Sequence, residues 1–162
     1  MFRYTIIFIL FSLTTFAQQE GLFTQYMFNP SIINPAYVVT KNAPSIYIQQ
    51  RNQWGNLEGS PNTSFFSYQH PSLFQNLGIG INIVSDNIGP VTDFSSSVDF
   101  SSLIRISERW NTSLGIKLAY NVLNVNFDLL NIYNPSDPFF SKNIRNLSSL
   151  NFGFGVFVYS EK

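Results

Sequence analysis

The chain has 162 residues and no cysteine, and its nine Lys and Arg residues balance its nine Asp and Glu residues. The absence of cysteine excludes a disulfide scaffold, a thiolate zinc site and a cysteine nucleophile, and the balanced charge gives no footprint for nucleic acid. Charged residues make up 11% of the chain and aromatic residues 17%, whereas an ordinary soluble domain is about 25% charged. This composition is typical of a β-protein with an apolar exterior and a wet interior.

The N-terminus carries the pattern of an export signal. Arg3 precedes an apolar run over residues 5–13, and Ala17 is a small residue at the position expected for cleavage. The run is shorter than the roughly 20 apolar residues that a spanning helix needs. We therefore predict a signal peptide over residues 1–17, with a buried N-terminal strand or helix as the alternative.

The stretch that follows, residues 18–44, is predicted to be irregular. It contains Pro30, Pro35 and Pro44, and proline cannot donate to the hydrogen-bond ladder of a central strand. From residue 45 onwards the pattern changes to that of β-strands. We predict a partial outer-membrane β-barrel over residues 45–162.

Apolar and small polar residues alternate with a period of two along this region. Leu77, Ile79 and Ile81, for example, alternate with Gly78 and Gly80. The same pattern predicts about six strands, over residues 45–53, 63–69, 77–83, 94–106, 113–122 and 151–158. The first two of these are the weaker candidates.

Two features favour a membrane barrel over a β-sandwich, which would show the same alternation. The strands run about 9 to 15 residues, at or above the length that crosses a bilayer at a tilt, whereas soluble strands average about 5–6 residues. The polar face also uses Gly, Ser and Asn instead of the Lys and Glu of a solvated surface, which suits a crowded aqueous lumen. The predicted fold is therefore all-β, an antiparallel transmembrane β-barrel.

The segments between these strands fit such a barrel. Residues 86–90 are predicted to form a turn, residues 107–111 a short polar periplasmic hairpin, and residues 124–147 a long extracellular loop. The aromatic residues near strand ends are candidates for an interfacial girdle, with ordinary strand packing as the alternative. They are Trp110, Tyr120 and Tyr159.

The sequence offers little for catalysis or metal binding. His70 is the single histidine, and without cysteine it cannot build a transition-metal site unless several carboxylates help. No serine lies in a G-x-S-x-G context and no acid neighbours His70, so a histidine at a strand end in a loop or interface is favoured over a Ser-His-Asp triad. We therefore predict no enzyme activity, no cofactor, and no catalytic, cofactor-binding or metal-binding residues.

Glycine pairs and a few charged residues are interpreted as structural. Gly78 with Gly80, and Gly153 with Gly155, are expected to allow strand curvature or to leave space in the lumen. Charges on the inward side of a small barrel should pair or meet water. The residues concerned are Asp99, Arg105 and Lys117, and Arg51 is further expected to form a cation–π contact with Trp54 or to pair with a carboxylate. Bracing of the structure is favoured over ligand binding.

Four blocks, in order along the chain, carry a family resemblance. They are residues 23–30 (FTQYMFNP) with 33–37 (INPAY); 51–54 (RNQW) with 59–63 (GSPNT), 66–67 (FS) and Pro71; 77–80 (LGIG) with 83–90 (IVSDNIGP); and, less distinctively, 114–117 (LGIK). In this order and spacing the blocks resemble the PorP/SprF family, which are outer-membrane proteins of the type IX secretion system and its linked gliding machinery. The resemblance covers the chain from about residue 21 to its last residue.

The resemblance implies an outer-membrane β-barrel that is not an enzyme. Its implied role is secretion or surface display of large adhesins, or attachment of periplasmic components of the machinery. The motif residues are expected to define the fold and not to form a ligand site. They are Asn29, Pro30, Asn34, Pro35, Arg51, Trp54 and Gly89.

The number of predicted strands bears on how the barrel closes. Members of the family continue beyond this length with further strands, and about eight strands are needed for the smallest usual barrel. An open edge is not tolerated in lipid. We therefore expect the N-terminal half of a barrel, with closure by oligomerisation as the alternative.

Two other functions stay open from the sequence: a passive outer-membrane porin or small-ligand transporter, and a soluble ligand-binding barrel. For the favoured function we expect export to the cell outer membrane. The expected partners are outer-membrane lipid and a secreted adhesin or periplasmic type IX secretion components, without nucleic acid.

Overall fold

A computed structural model of the chain describes residues 29–74, 76–130 and 142–160. The predicted signal peptide, residues 1–17, and the first part of the predicted irregular segment, residues 18–28, lie outside the described residues. No helix in the described ranges has both the length and the apolar character needed to cross a membrane.

Strands dominate the described part of the chain, and short 3-10 helices accompany them. The strands are β1 (Ser45–Asn52), β2 (Asn62–Phe74), β3 (Leu77–Ile88), β4 (Val91–Arg105), β5 (Trp110–Val125) and β6 (Ile144–Ser160). The 3-10 helices are η1 (Pro30–Ile32), η2 (Pro35–Thr40) and η3 (Phe127–Leu129).

The six strands form one antiparallel sheet in which each strand pairs with the next along the chain. This confirms the predicted all-β fold with six antiparallel strands. β1 and β6 are the edges of the sheet, so the sheet is a partial barrel. Apart from β1, each strand has 12 to 17 residues, far longer than the average of about 5–6 residues in soluble proteins.

The connections between strands differ in length at the two ends of the sheet. At one end, β2 joins β3 through residues 75–76 and β4 joins β5 through residues 106–109. At the other end, β1 joins β2 through residues 53–61, β3 joins β4 through residues 89–90, and residues 126–143 separate β5 from β6, so this end carries the two longest connections. We call these the short-connection end and the long-connection end.

The predicted turn over residues 86–90 is wrong in its extent. Residues 86–88 continue β3, and Ile88 pairs with Val91, which leaves only Gly89 and Pro90 in the turn. Gly89 has a φ of +56°, a value that glycine adopts at no steric cost in such a two-residue turn.

The last strand also begins earlier than predicted. Val125 of β5 pairs with Ile144 of β6, so residues 124–125 and 144–147 of the predicted loop belong to strands, while residues 131–141 of it lie outside the described residues. Polar residues such as Asn146 and Ser148 break the alternation there. The long-range pairing with β5 makes this stretch a strand although its local pattern does not indicate one.

The two faces of the sheet differ in character in the way predicted for a membrane barrel. On the outer face, apolar side chains of neighbouring strands form rows in register, such as Ile79, Phe100, Ile116 and Phe154. Phe154 is 85% exposed and Ile116 is 52% exposed. The inner face instead buries polar side chains, which is the reverse of a soluble protein.

Candidate functional site

The inner face of the sheet is covered near its middle by the N-terminal segment, which we define as residues 29–40. Its second helix, η2, contacts five strands, β2 to β6. Within this segment, Ala36 and Val38 have no exposed surface. A segment of two short 3-10 helices therefore lies on the inner face, where the sequence had indicated only that residues 18–44 would be irregular.

Local sequence explains why this segment forms two short helices. Pro30 and Pro35 each occupy the first position of a 3-10 helix, where the missing N–H is not needed and the fixed φ suits a helix. Asn34 caps the second helix, because its Oδ1 accepts a hydrogen bond from Ala36 N at 3.0 Å. The Asn-Pro pairs at residues 29–30 and 34–35 are thus helix starts.

The first part of the segment runs across the sheet from β2 towards β5. The Gln69 side chain on β2 donates a hydrogen bond to Asn29 Oδ1. Ser31 Oγ donates to the same oxygen of Asn29 at 2.7 Å. On β5, Lys117 Nζ donates to the backbone carbonyls of Ser31 and Ile32.

The segment then reaches β6 and turns back. Asn34 Nδ2 donates to the carbonyl of Val156 at 3.0 Å, and the Tyr37 ring packs edge-on against Phe157 with 5.1 Å between centroids. On the way back, Ser113 Oγ on β5 donates to the carbonyl of Ala36 at 2.7 Å. The N-terminal segment thus ties the second strand of the sheet to the sixth.

Small residues on the inner face make this close approach possible. Gly78, Ser101, Gly115 and Gly155 lie opposite one another on β3 to β6, and we call them the glycine row. A Cβ at Gly115 would stand 2.7 Å from Ala36 Cα and would overlap Ala36 N. The predicted role of Gly78 and Gly155, which is to leave space in the lumen, is what the structure shows.

The next row along the inner face carries the inward charges. Asp99 on β4 and Lys117 on β5 are directly opposite, with 3.9 Å between Lys117 Nζ and Asp99 Oδ1. Asp99 is fully buried, and its Oδ2 accepts a hydrogen bond from Asn82 Nδ2 at 2.7 Å. Arg105, by contrast, is exposed at the end of β4. Two of the three predicted inward charges therefore brace the wall and hold the N-terminal segment.

Beyond this row, towards the long-connection end, the inner face encloses a cavity of about 550 Å³, which we call the vestibule. Its lining is mixed: Ser95 and Asn121 are joined by a 2.7 Å hydrogen bond, and apolar residues such as Phe65 and Leu123 also line it. Asp86 and Asp93 face each other across β3 and β4 at the far end, and Asp86 accepts a hydrogen bond from Thr63 Oγ1 at 2.7 Å. The vestibule is therefore a cavity of mixed polarity with two carboxylates at its far end.

A comparison with family models identifies the chain over nearly its whole length. Residues 15–162 match the model described as type IX secretion system membrane protein PorP/SprF. The chain belongs to the PorP/SprF family. No curated protein and no solved structure matches it.

Membership of PorP/SprF makes this chain a membrane component of the type IX secretion system. The family is one of secretion-system membrane components and not of enzymes, and its place in that system indicates the outer membrane. In the described part of the chain, no three or more His, Cys, Asp or Glu residues cluster in a way that could hold a metal ion.

The residues that carry the PorP/SprF resemblance meet in space. Ala36, from the first block, lies against Gly115 of the fourth block. Gly89 N donates to the carbonyl of Gly59 at 2.9 Å, which joins the second block to the third. These contacts support the interpretation of the motif residues as fold-defining.

Other predicted residues fall in different places. His70 lies within β2 and not at a strand end, next to a register irregularity that accommodates Pro71. Tyr159 faces inward and stacks on Phe157 with 5.6 Å between centroids, so it is not part of an outer girdle. Trp54 is 69% exposed in the β1–β2 connection, and its predicted cation–π contact with Arg51 stays a prediction.

Sequence reasoning missed the side chains that hold the N-terminal segment. Gln69 and Ser113 are almost fully buried and bind this segment directly. Their signal was present, because both lie at inward positions of the alternation. What the pattern could not show is that the partner of these inward residues is the proline-containing segment before β1.

Proposed function

We propose that this PorP/SprF protein is a non-enzymatic β-barrel component of the outer membrane that supports secretion or surface display of partner proteins. It would be exported through its N-terminal signal and would act with a secreted adhesin or with periplasmic components of the type IX machinery, including machinery linked to gliding. The observation that carries the proposal is the family match over residues 15–162.

The outer face supports the location in a bilayer. In one row, Ile81, Val98, Leu118 and Phe152 lie side by side on β3 to β6. Phe152 is 74% exposed, and a row of such residues is costly to leave in water but stable against lipid chains. The long strands have the reach to cross the apolar layer at a tilt.

The inner face supports a role other than passive diffusion. A porin needs a continuous aqueous lumen, whereas the N-terminal segment lies across part of the inner face and contacts strands β2 to β6. The buried charges Asp99 and Lys117 serve that packing, since Lys117 binds both the carboxylate and the segment. We therefore favour a scaffold for partner proteins over a porin or small-ligand transporter.

Deletion of the gene in its native bacterium tests this function. We expect loss of partner adhesins from the cell surface, measured by proteomics of surface-shaved peptides, with unchanged permeability of the outer membrane to small dyes. Restoration by the wild-type gene is the control. Normal adhesin display together with slower dye uptake would contradict the proposal and favour a porin, as would steady ion conductance of the purified protein in planar bilayers.

A further inference from the structure

We propose that the N-terminal segment is a permanent plug and not a gate. It covers the inner face towards the short-connection end, and the vestibule opens towards the long-connection end. This inference goes beyond the proposed function, because it concerns which side of the membrane can reach the interior of the protein.

The position of the segment along the strands is the first argument. Gly78, which contacts Val39, is the second residue of β3 and lies next to the short β2–β3 connection. Asp86 and Asp93, at the far end of the vestibule, lie next to the turn at Gly89. From Asp99 to Asp93 the strand advances about 20 Å, at about 3.3 Å per residue. The plug and the open end of the vestibule are therefore at opposite ends of the sheet.

The contacts of the segment argue against movement. Displacement would break the hydrogen bonds of Asn34 to Val156 and of Ser113 to Ala36. It would also expose the buried side chain of Val38 and leave an empty space over the glycine row. A buried polar group that loses its partner is penalised, and a void loses all the contacts that filled it.

The tether to the sheet argues in the same direction. Only residues 41–44 separate η2 from β1, and four residues span at most about 14 Å when fully extended. β1 is itself paired with β2 along all of its eight residues. This short tether keeps the C-terminal end of η2 close to the start of the first strand.

The orientation follows from the connections. In outer-membrane barrels the short turns face the periplasm and the long loops face the cell exterior. The β4–β5 connection, residues 106–109, is then periplasmic, and the end with the two longest connections, which also carries the short β3–β4 turn, faces the cell exterior. The vestibule consequently opens to the outside, and the plug separates it from the periplasm.

Cysteine accessibility tests the plug in living cells, since the chain has no native cysteine. Ala36→Cys and Ala119→Cys make the same small change at two sites, one fully buried under the plug and one in the vestibule wall. We expect a membrane-impermeant maleimide added to intact, secreting cells to label Ala119→Cys and to leave Ala36→Cys at least tenfold less labelled. Labelling after denaturation provides the measure of total protein.

Three results would overturn the inference. Fast labelling of Ala36→Cys in intact cells would show that the segment leaves its place. Labelling of Ala119→Cys only after the periplasm is opened would reverse the orientation, and no labelling from either side would show that the vestibule is closed. None of these readings depends on whether the protein acts in secretion, so they are distinguishable from a failure of the proposed function.

A disulfide lock provides the second test. Val38 Cγ2 lies 3.0 Å from the position of a Cβ on Gly80, which is within the reach of a disulfide between Val38→Cys and Gly80→Cys. We expect the oxidised double variant to keep wild-type adhesin display, with Val38→Cys alone as the control. Display that is lost on oxidation and recovered with a reductant would mean that the segment must move.

Discussion

The two ends of the inner face are built from the same strands but have opposite interiors. Towards the short-connection end, Gly78, Gly115 and Gly155 let the N-terminal segment lie directly on the backbone of the wall. Towards the long-connection end, larger polar residues such as Asp93 and Asn121 surround a cavity of about 550 Å³. Where the inward side chains are small, the N-terminal segment packs against the wall, and where they are larger, they line the vestibule.

A side chain added in the glycine row is the strongest test of this difference in packing between the two ends of the inner face. We expect Gly115→Val to reduce the stability of the folded protein by about 3 kcal/mol or more, because its Cβ would overlap the backbone of Ala36, which cannot rotate away. Urea unfolding of the protein in lipid vesicles, followed by Trp fluorescence, measures the loss.

Gly55→Val is the matched control, because a Cβ on Gly55 meets no atom within 4 Å. It should shift the unfolding midpoint by less than about 0.5 kcal/mol. Equal destabilisation by the two substitutions would mean that the cost at Gly115 comes from the valine itself and not from the packed N-terminal segment.

The cost of a charged substitution on each face of one strand distinguishes the vestibule wall from the lipid-facing surface. Leu118 and Ala119 are neighbours on β5, the first on the outer face and the second in the vestibule wall. We expect Leu118→Arg to cost about 3 kcal/mol, as for a cation near the bilayer midplane, and Ala119→Arg to cost less than about 1 kcal/mol. The same urea titration in vesicles measures both.

If Ala119→Arg were the more harmful substitution, the assignment of the two faces would be reversed. The acidic pair Asp86 and Asp93 strengthens the expectation, because an arginine in the vestibule lies in a compartment whose mouth carries negative charge. Dependence of the Ala119→Arg variant on salt concentration would report that interaction.

Lys117 connects Asp99 to the N-terminal segment, because its Nζ lies near the Asp99 carboxylate and donates a hydrogen bond to the carbonyl of Ile32. Lys117→Met should cost about 2 kcal/mol, below the roughly 3–5 kcal/mol for a fully buried pair, since the lysine is partly exposed and lies 3.9 Å from Asp99. The loss arises because the fully buried Asp99 carboxylate is left without its cation.

The double variant Lys117→Met with Asp99→Asn provides the control. It removes the uncompensated charge, and stability should return by at least about 1 kcal/mol relative to Lys117→Met alone. If the double variant is less stable than Lys117→Met, the carboxylate contributes through Asn82 and not through the lysine.

The sequence predicts the strands well where alternation is strict and poorly where it is not. β3, β4 and β5 lie where the pattern placed them, whereas the first half of β6 was missed because Asn146 and Ser148 interrupt the apolar positions. Pairing with β5 supplies what the local pattern lacks. The inward charges were readable from the alternation, but only the strand register shows that Asp99 and Lys117 are opposite each other.

The N-terminal segment shows a different limit. Its prolines correctly indicate that it is not a strand, and the inward glycines were expected only to allow strand curvature or to leave space in the lumen. The sequence cannot join the two observations, because Asn34 and Val156 are 122 positions apart in the chain. Contacts over such distances depend on the curvature of the whole sheet, which no local pattern specifies.

The smallest expected effect compares one serine at each end of the inner face. Ser113 Oγ donates to the carbonyl of Ala36, and Ser95 Oγ donates to Asn121 Oδ1, each at 2.7 Å. Ser113→Ala should cost about 1 kcal/mol, because Ser113 is fully buried and no water can replace its hydroxyl at the carbonyl. Ser95→Ala should cost less than about 0.5 kcal/mol, because Ser95 is half-buried beside the vestibule, where water can take its place.

Urea titrations in vesicles give both values, provided that the slope of the unfolding free energy against urea is unchanged. Equal costs would show that the vestibule is as dry as the packed end, and the cavity would then be closed to water. A larger cost for Ser113 shows instead that one alternating strand, β5, lines a dry interior at one end and a wet interior at the other. That is the property which a fixed plug with a vestibule above it requires.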